Sequence, residues 1–183
     1  MDAPTPQSII LFWTDAGAEA WFTQSDAFDA AIRERFEVAH HIAARGGLSG
    51  WVETAEGALA LLLLTDQFPR NLWRGSAHAF ATDPLARAVA RDALTRGHHR
   101  ATTLELRPFF RLPFSHSEDP DDQATGVVLA EAIERDGGES ARWARHHQEI
   151  IDRFGRFPHR NAVLGRRLTP DEQAFLDEGG FEG

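Results

Sequence analysis

Several residue types are rare or missing in this chain of 183 residues. It contains no cysteine, no lysine and no tyrosine, and only one methionine. The absence of cysteine excludes disulfides and thiolate chemistry, and it fits the cytoplasm, which is the location we expect. All 19 basic residues are arginine, so arginine abundance alone carries little information here.

Positive charge and long apolar runs are also scarce. The net charge of −9 argues against a nucleic-acid or anionic-membrane partner, because phosphate binding needs a basic face. The longest apolar run, 58–64, is far shorter than the about 20 residues of a membrane span. The N-terminus lacks the basic start and apolar stretch of a signal peptide. We therefore expect no nucleic-acid partner and no membrane partner.

Helix signals dominate the sequence. Proline follows a capping residue at Asp83-Pro84, Asp119-Pro120 and Thr169-Pro170, and such a pair is typical of a helix start. Glycines end the segments between them, and apolar residues recur there with a period of 3.6. Strand signals are poor, because β-branched runs and two-residue alternation are few.

These signals predict one all-α domain over 1–183, a bundle of antiparallel helical hairpins. Its size and 42% apolar composition suit one hydrophobic core. We predict five main helices, near 26–44, 54–67, 84–96, 120–136 and 140–154. Shorter helices are predicted near 8–13, 104–114 and 170–177.

The only two asparagines of the chain end nearly the same phrase. One phrase is Phe-Pro-Arg-Asn at 68–71, and the other is Phe-Pro-His-Arg-Asn at 157–161. Because proline disfavours the helical conformation at the preceding residue, both phrases are expected to end a helix. Asn71 and Asn161 would then cap the short turns that follow.

Charged residues cluster beside these phrases. Asp66 ends an apolar stripe, and a buried carboxylate there needs a cation such as Arg70, Arg156 or Arg160. Arginines that converge on a loop bind a phosphate or carboxylate, or they hold nearby acidic side chains. Both readings, an anion site and a structural clasp, stay open. The residues predicted to bind a ligand are Asp66, Arg70, Asn71, Arg74, Gln123, Arg153, Arg156, His159, Arg160 and Asn161.

A third polar element lies at 113–119, just before a predicted helix. There His116 could carry out acid–base catalysis with Glu118 orienting its ring. Gln123 lies on an apolar stripe and is expected to have a buried polar partner. No pair of histidines has ligand spacing on one helix, so we predict no metal site. His116, His147 and His159 could become ligands only if folding brought them together.

Several motifs together resemble a known bacterial family, domain-of-unknown-function family 924. They include Phe12-Trp13, Trp21-Phe22, 62–71, Arg74-Gly75, 79–83, 116–119, 153–161 and 169–172. Thr14 and Thr65 depart from residues common in similar proteins, outside the predicted site. The resemblance implies a helical fold similar to tetratricopeptide hairpins. It implies no established activity, substrate or cofactor, so the cofactor stays unassigned.

Three functional hypotheses follow. The first is a small anionic ligand or a peptide carboxylate bound in a pocket of arginine, asparagine and histidine. The second is a hydrolase that uses His116 and Glu118, with or without a metal. The third is a protein-interaction scaffold whose polar residues form only a structural clasp. Exposed aromatic faces on a helical hairpin fold also suggest a homodimer.

Overall fold

The computed structural model of the chain describes residues 4–181, and every regular element in that range is helical. The predicted all-α class is therefore confirmed. Within these residues, no helix combines the length and the apolarity needed to cross a bilayer. The α-helices in chain order are α1 (Pro6–Phe22), α2 (Asp26–Ala44), α3 (Ala55–Leu62), α4 (Phe68–Leu72), α5 (Asp83–Thr95), α6 (His98–Ala101), α7 (Pro108–Ser115), α8 (Pro120–Arg135), α9 (Arg142–Phe154) and α10 (Pro170–Asp177).

Local capping chemistry sets many of these helix starts. The Ser25 hydroxyl accepts the Phe28 amide at the start of α2, and the Asp119 carboxylate accepts two amides at the start of α8. Thr169 and Glu172 form the reciprocal capping box at the start of α10. The predicted helices that begin at these signals agree with the structure to within a few residues.

Two of the shorter predicted helices have different bounds. The helix predicted near 8–13 extends over the whole of α1, because Thr5 and Ser8 cap it and the chain continues through a kink at Gly17. Gly17 has a φ of 79°, which glycine adopts at little cost. The helix predicted near 104–114 begins later, at Pro108, after a turn in which the Leu106 amide bonds the Thr103 carbonyl.

The prediction that Phe68-Pro69 ends the central helix is wrong. Helix α3 passes into a π-helical turn at Leu63–Gln67, and that turn leads directly into α4. In the turn, the Phe68 amide donates to the Leu63 carbonyl, five residues earlier. A π-helical turn is rare and is often found at functional sites.

Side chains from elsewhere allow the central helix to continue past Pro69. Proline has no amide hydrogen, so carbonyls one turn before it lose their usual donor. His40 from α2 reaches the Leu64 carbonyl with Nδ1 at 2.7 Å, and the Thr82 hydroxyl donates to the Thr65 carbonyl at 2.6 Å. These distant donors satisfy the buried backbone, so the phrase lies inside a helix instead of ending it.

The core surrounds α3 and the π-helical turn. Trp13 stacks on Trp21 with ring centroids 5.7 Å apart, and it also contacts Phe68 and Phe109. Helix α3 packs on α1, α5 and α7, while α7 packs on α8 and α8 packs on α9. The turn Leu63–Gln67 contacts both α5 and α7. This packing brings the C-terminal end of α7 against the polar residues of the π-helical turn.

The close packing around α3 yields a stability prediction. A Cβ at Gly57 would overlap the Trp51 carbonyl oxygen, so Gly57→Ala must displace the helix or the turn at Ser49–Glu53. We expect Gly57→Ala to lower the free energy of unfolding by about 3 kcal/mol or more. That loss corresponds to a Tm lower by roughly 6–12 °C in a thermal melt. Gly50→Ala is the matched control, because a Cβ there meets no described atom within 4 Å. Equal losses in the two variants would contradict this packing.

Candidate functional site

The π-helical turn places Asp66 inside the protein, where its side chain is 1% exposed. Its carboxylate accepts from Nδ1 of His116, which lies 2.9 and 3.0 Å from the two oxygens. Gln67 donates to the same carboxylate, and Arg70 lies 3.4 Å away. The predicted pairing of Asp66 with Arg70 is therefore present, and His116 is a partner that the sequence did not reveal.

Asp66 and His116 form a hydrogen-bonded pair in which only Asp66 is charged. Burial raises the pKa of Asp66, but Arg70 and His116 outweigh it and hold that pKa well below its usual range. Burial and Arg70 lower the pKa of His116, although Asp66 opposes them. At neutral pH the pair is thus a carboxylate and a neutral imidazole. Because Nδ1 faces the carboxylate, it carries the proton, and Nε2 keeps the basic lone pair.

Arg70 bridges two acidic residues. Its guanidinium donates to both oxygens of Asp83, at 3.1 and 3.2 Å, and it also donates to the Asp66 backbone carbonyl. Asp83 was expected to cap a helix, but Thr82 is the N-cap and Asp83 is the first residue of α5. Asp83 is therefore a site residue that sequence reasoning missed. The only signal was its place in the 79–83 motif.

Arg160 is a buried cation without a close carboxylate partner among residues 4–181. Nη1 donates to the His116 carbonyl at 2.9 Å, while the nearest Asp83 oxygen is 3.9 Å from Nη1. The guanidinium carbon lies 4.6 Å from the Phe80 ring centroid and 4.5 Å from that of Phe157. Nε is buried and has no hydrogen-bond partner within residues 4–181. Burial and the positive charge of Arg70 lower the pKa of Arg160 to about 10, although Asp83 opposes them.

Glu118 does not orient His116, and that part of the prediction is wrong. Its carboxylate accepts two bonds from Arg166, at 2.6 and 2.9 Å, and one from the Phe157 amide at 2.9 Å. The Arg166 guanidinium therefore binds both oxygens of Glu118, and such bidentate ion pairs are among the stronger hydrogen-bonded contacts in proteins. Burial raises the pKa of Glu118, but Arg166 and the Phe157 amide outweigh it and lower that pKa. Asp66 takes the orienting position instead.

Two further histidines lie close to His116. The His147 ring centroid is 6.4 Å from that of His116, and both His147 and His159 pack against Phe181. Nδ1 of His147 and Nδ1 of His159 are buried without a partner among residues 4–181. In the same range, no group of three or more His, Asp and Glu side chains is arranged as a set of metal ligands.

The other predicted ligand-binding residues form separate clusters. Arg156 donates to both oxygens of buried Glu172, at 2.6 and 2.8 Å, and Arg153 lies over the Phe154 and Phe175 rings. Arg156 lowers the pKa of Glu172 to about 2. These contacts fix the C-terminal helix α10 against the 153–161 segment, so they are structural.

Neither asparagine side chain caps the turn that follows it, which corrects that prediction. Asn71 lies within α4 and donates to Asp29 at 2.7 Å, and Arg74 binds the same carboxylate. They line a surface cavity of about 510 Å³, which does not include His116. Asn161 is fully buried. Its side-chain amide forms no hydrogen bond within residues 4–181, although it helps lower the pKa of Glu172.

Gln123 has the buried polar partners that its position predicted. Its Nε2 donates to the Ser115 carbonyl at 2.9 Å and to the Ser117 carbonyl at 2.6 Å. These bonds hold the chain as it leaves α7, next to His116. The predicted residues therefore meet in part. Asp66, Arg70, His116 and Arg160 converge, and Gln123 holds the chain next to them, whereas Asn71, Arg74, Arg153 and Arg156 belong to the separate clusters.

Comparisons with other proteins agree with this architecture. Residues 9–180 match a family model described as bacterial protein of unknown function, DUF924. The chain is also similar to a solved structure of the protein of unknown function ATU0120 from Agrobacterium tumefaciens, with a TM-score of 0.91. The two are 49% identical over 95% of this chain and 97% of that one. No curated protein matches the chain.

The buried histidines predict how stability depends on pH. Burial and His116 lower the pKa of His147 to about 3, whereas an unfolded histidine has a pKa of about 6.5. The unfolded chain therefore binds the extra proton between these values, and stability is lost as pH falls below about 6.5. At pH 5 this residue alone should cost about 2 kcal/mol.

Denaturant titrations at pH 7 and pH 5 measure this cost. His147→Gln should show a smaller difference between the two pH values than the wild type does. His146→Gln is the control, because the neighbouring His146 is 36% exposed, and it should retain the wild-type difference. If His147→Gln loses as much stability between pH 7 and pH 5 as wild type does, burial of the neutral His147 is not the cause of the pH dependence.

Proposed function

The chain belongs to the DUF924 family of bacterial proteins of unknown function, and we propose that it binds a small monoanion at Arg160. The ligand is a carboxylate, either on a small molecule or at the end of a peptide. This proposal is narrower than the sequence hypothesis, because Arg156 is occupied by Glu172 and by the Arg167 carbonyl. Arg160 is the anion-binding residue, and Arg70 and Asp66 hold its surroundings in place.

The incomplete compensation of Arg160 carries the proposal. A buried charge without a close partner costs several kcal/mol, so buried arginines normally make short bidentate ion pairs. Arg70 and Arg166 each do so with a carboxylate. Arg160 is more buried than either, yet within residues 4–181 its closest carboxylate oxygen is 3.9 Å away. An incoming carboxylate would supply the missing partner.

The charges around Arg160 favour a ligand with a single negative charge. Asp66 and Asp83 are balanced by Arg70 and Arg160, while His116 is neutral. A ligand with one negative charge meets less repulsion from these two buried carboxylates than a dianion would. The flanking rings of Phe80 and Phe157 favour an apolar group next to the bound carboxylate. These features support a small monocarboxylate over a phosphate.

The test is acetate binding to wild type and to Arg160→Met. Methionine keeps much of the side-chain volume between the rings and removes the charge. We expect acetate to raise the Tm of wild type in a concentration-dependent way, because a ligand that binds only the folded state stabilises it. Saturation at about a hundredfold over Kd adds about 3 kcal/mol. Arg160→Met should show no acetate response, and its stability without acetate should equal or exceed that of wild type.

Arg156→Met is the matched control from the same segment. It leaves the buried Glu172 without its bidentate partner, so its Tm should fall in every buffer while its response to acetate is retained. The proposal would be contradicted if Arg160→Met is destabilised like Arg156→Met and acetate does not stabilise wild type. In that case Arg160 belongs to a structural clasp.

A further inference from the structure

We infer that the Asp66–His116 pair is a general base, which activates water to hydrolyse a small carboxylic ester held at Arg160. The inference rests on the proposed monoanion site, because it assigns the bound carboxylate to the acid product of that reaction. It differs in one respect from the hydrolase hypothesis of the sequence analysis, which paired His116 with Glu118. The residue that positions His116 is Asp66, and Glu118 is bound to Arg166.

The first support is the geometry of the pair. Nδ1 of His116 lies within 3.0 Å of both Asp66 oxygens, and within residues 4–181 Nε2 makes no hydrogen bond. The His116 side chain is 15% exposed. A carboxylate on one ring nitrogen fixes the tautomer and leaves the other nitrogen free to accept a proton. Asp66 itself cannot rotate freely, because Gln67 and Arg70 also bind it.

The second support is the position of Arg160. Its Nη1 donates to the backbone carbonyl of His116, so a guanidinium is fixed to the residue that carries the base. The His147 ring centroid lies 6.4 Å from that of His116 and 5.6 Å from that of Phe157, and the Arg160 guanidinium carbon lies 4.5 Å from the same Phe157 ring. A fixed cation in a water-poor site stabilises the oxyanion that forms when an ester is attacked.

Water is the nucleophile that this arrangement leaves. The Ser115 hydroxyl accepts from Arg111 and the Ser117 hydroxyl accepts from the Asp119 amide, and both side chains are buried. Neither serine bonds the imidazole of His116, whose Nδ1 is occupied by Asp66. A serine nucleophile would need to bond the basic nitrogen directly.

The reaction balances without a cofactor. As the water oxygen bonds to the ester carbonyl carbon, its proton passes to Nε2 of His116. The carbonyl electron pair moves onto oxygen, and the resulting oxyanion lies beside Arg160. When the intermediate collapses, the carbon–oxygen bond to the alcohol breaks, and the leaving oxygen takes the proton from Nε2. The products are an alcohol and a carboxylic acid, which ionises to the monoanion of the proposed site.

Several charged groups set the pH at which the base works. Burial and Arg70 lower the pKa of His116, and Asp66 opposes them. Activity should therefore rise with pH through a midpoint below about 6.5, because the neutral imidazole is the base. The charged and titratable groups around His116 are Asp66, Arg70, Asp83, His147, His159 and Arg160.

The experiment uses p-nitrophenyl acetate and p-nitrophenyl butyrate with the full chain. We expect wild type to turn over at least one ester many times, with acetate as a competitive inhibitor. His116→Gln should lose about 10²–10⁴-fold in kcat/KM and should still bind acetate, which also shows that it is folded. The control His78→Gln removes an exposed histidine and should keep the wild-type rate.

Asp66→Asn tests the positioning role with a readout that folding alone would not move. Since Asp66 raises the pKa of His116 against burial and Arg70, the midpoint of the residual pH–rate profile should shift to lower pH. The inference is overturned if wild type is no faster than an equal concentration of imidazole, or if His116→Gln keeps the wild-type rate. If acetate binds under those outcomes, the monoanion site stands and only the hydrolysis is wrong. If acetate does not bind, both are wrong.

Discussion

The burial of the Asp66 carboxylate is the constraint that organises this structure. A charge in that position needs several partners at once, and it obtains them from Gln67 and Arg70 on its own helix and from His116 at the end of α7. The π-helical turn aims the carboxylate at α7. Arg70 then ties the same point to α5 through Asp83. One acidic residue therefore fixes the relative positions of three helices and the protonation state of one imidazole.

The other arginines differ in how closely a carboxylate neutralises them. Arg74, Arg156 and Arg166 each bind a carboxylate directly, and those pairs hold the chain together. Arg160 is different, because it is buried between two aromatic rings and the nearest carboxylate oxygen of the described residues lies 3.9 Å from it. The structural-clasp interpretation thus describes Arg74, Arg156 and Arg166, and anion binding remains our proposal for Arg160 alone.

Local chemistry explains which features could be predicted. Caps and prolines such as Asp119-Pro120 and Thr169-Pro170 specify helix starts through contacts within one turn, so those bounds follow from the sequence. The passage of the helix through Pro69 depends on His40 and Thr82, which are distant in the chain. The choice between Asp66 and Glu118 as partner of His116 likewise depends on packing. Proximity in sequence favoured Glu118, whereas the fold brings Asp66 to the ring and Arg166 to Glu118.

The protonation state of His116 is the central claim, and ¹⁵N NMR of histidine-labelled protein tests it most directly. Long-range ¹H–¹⁵N spectra distinguish the two neutral tautomers and the imidazolium. At neutral pH we predict a neutral His116 ring with the proton on Nδ1 and an unprotonated Nε2, assigned by the loss of its signals in His116→Gln. A proton on Nε2, or an imidazolium that persists above pH 7, would contradict the account. Either result would remove the basic Nε2 on which the proposed chemistry depends.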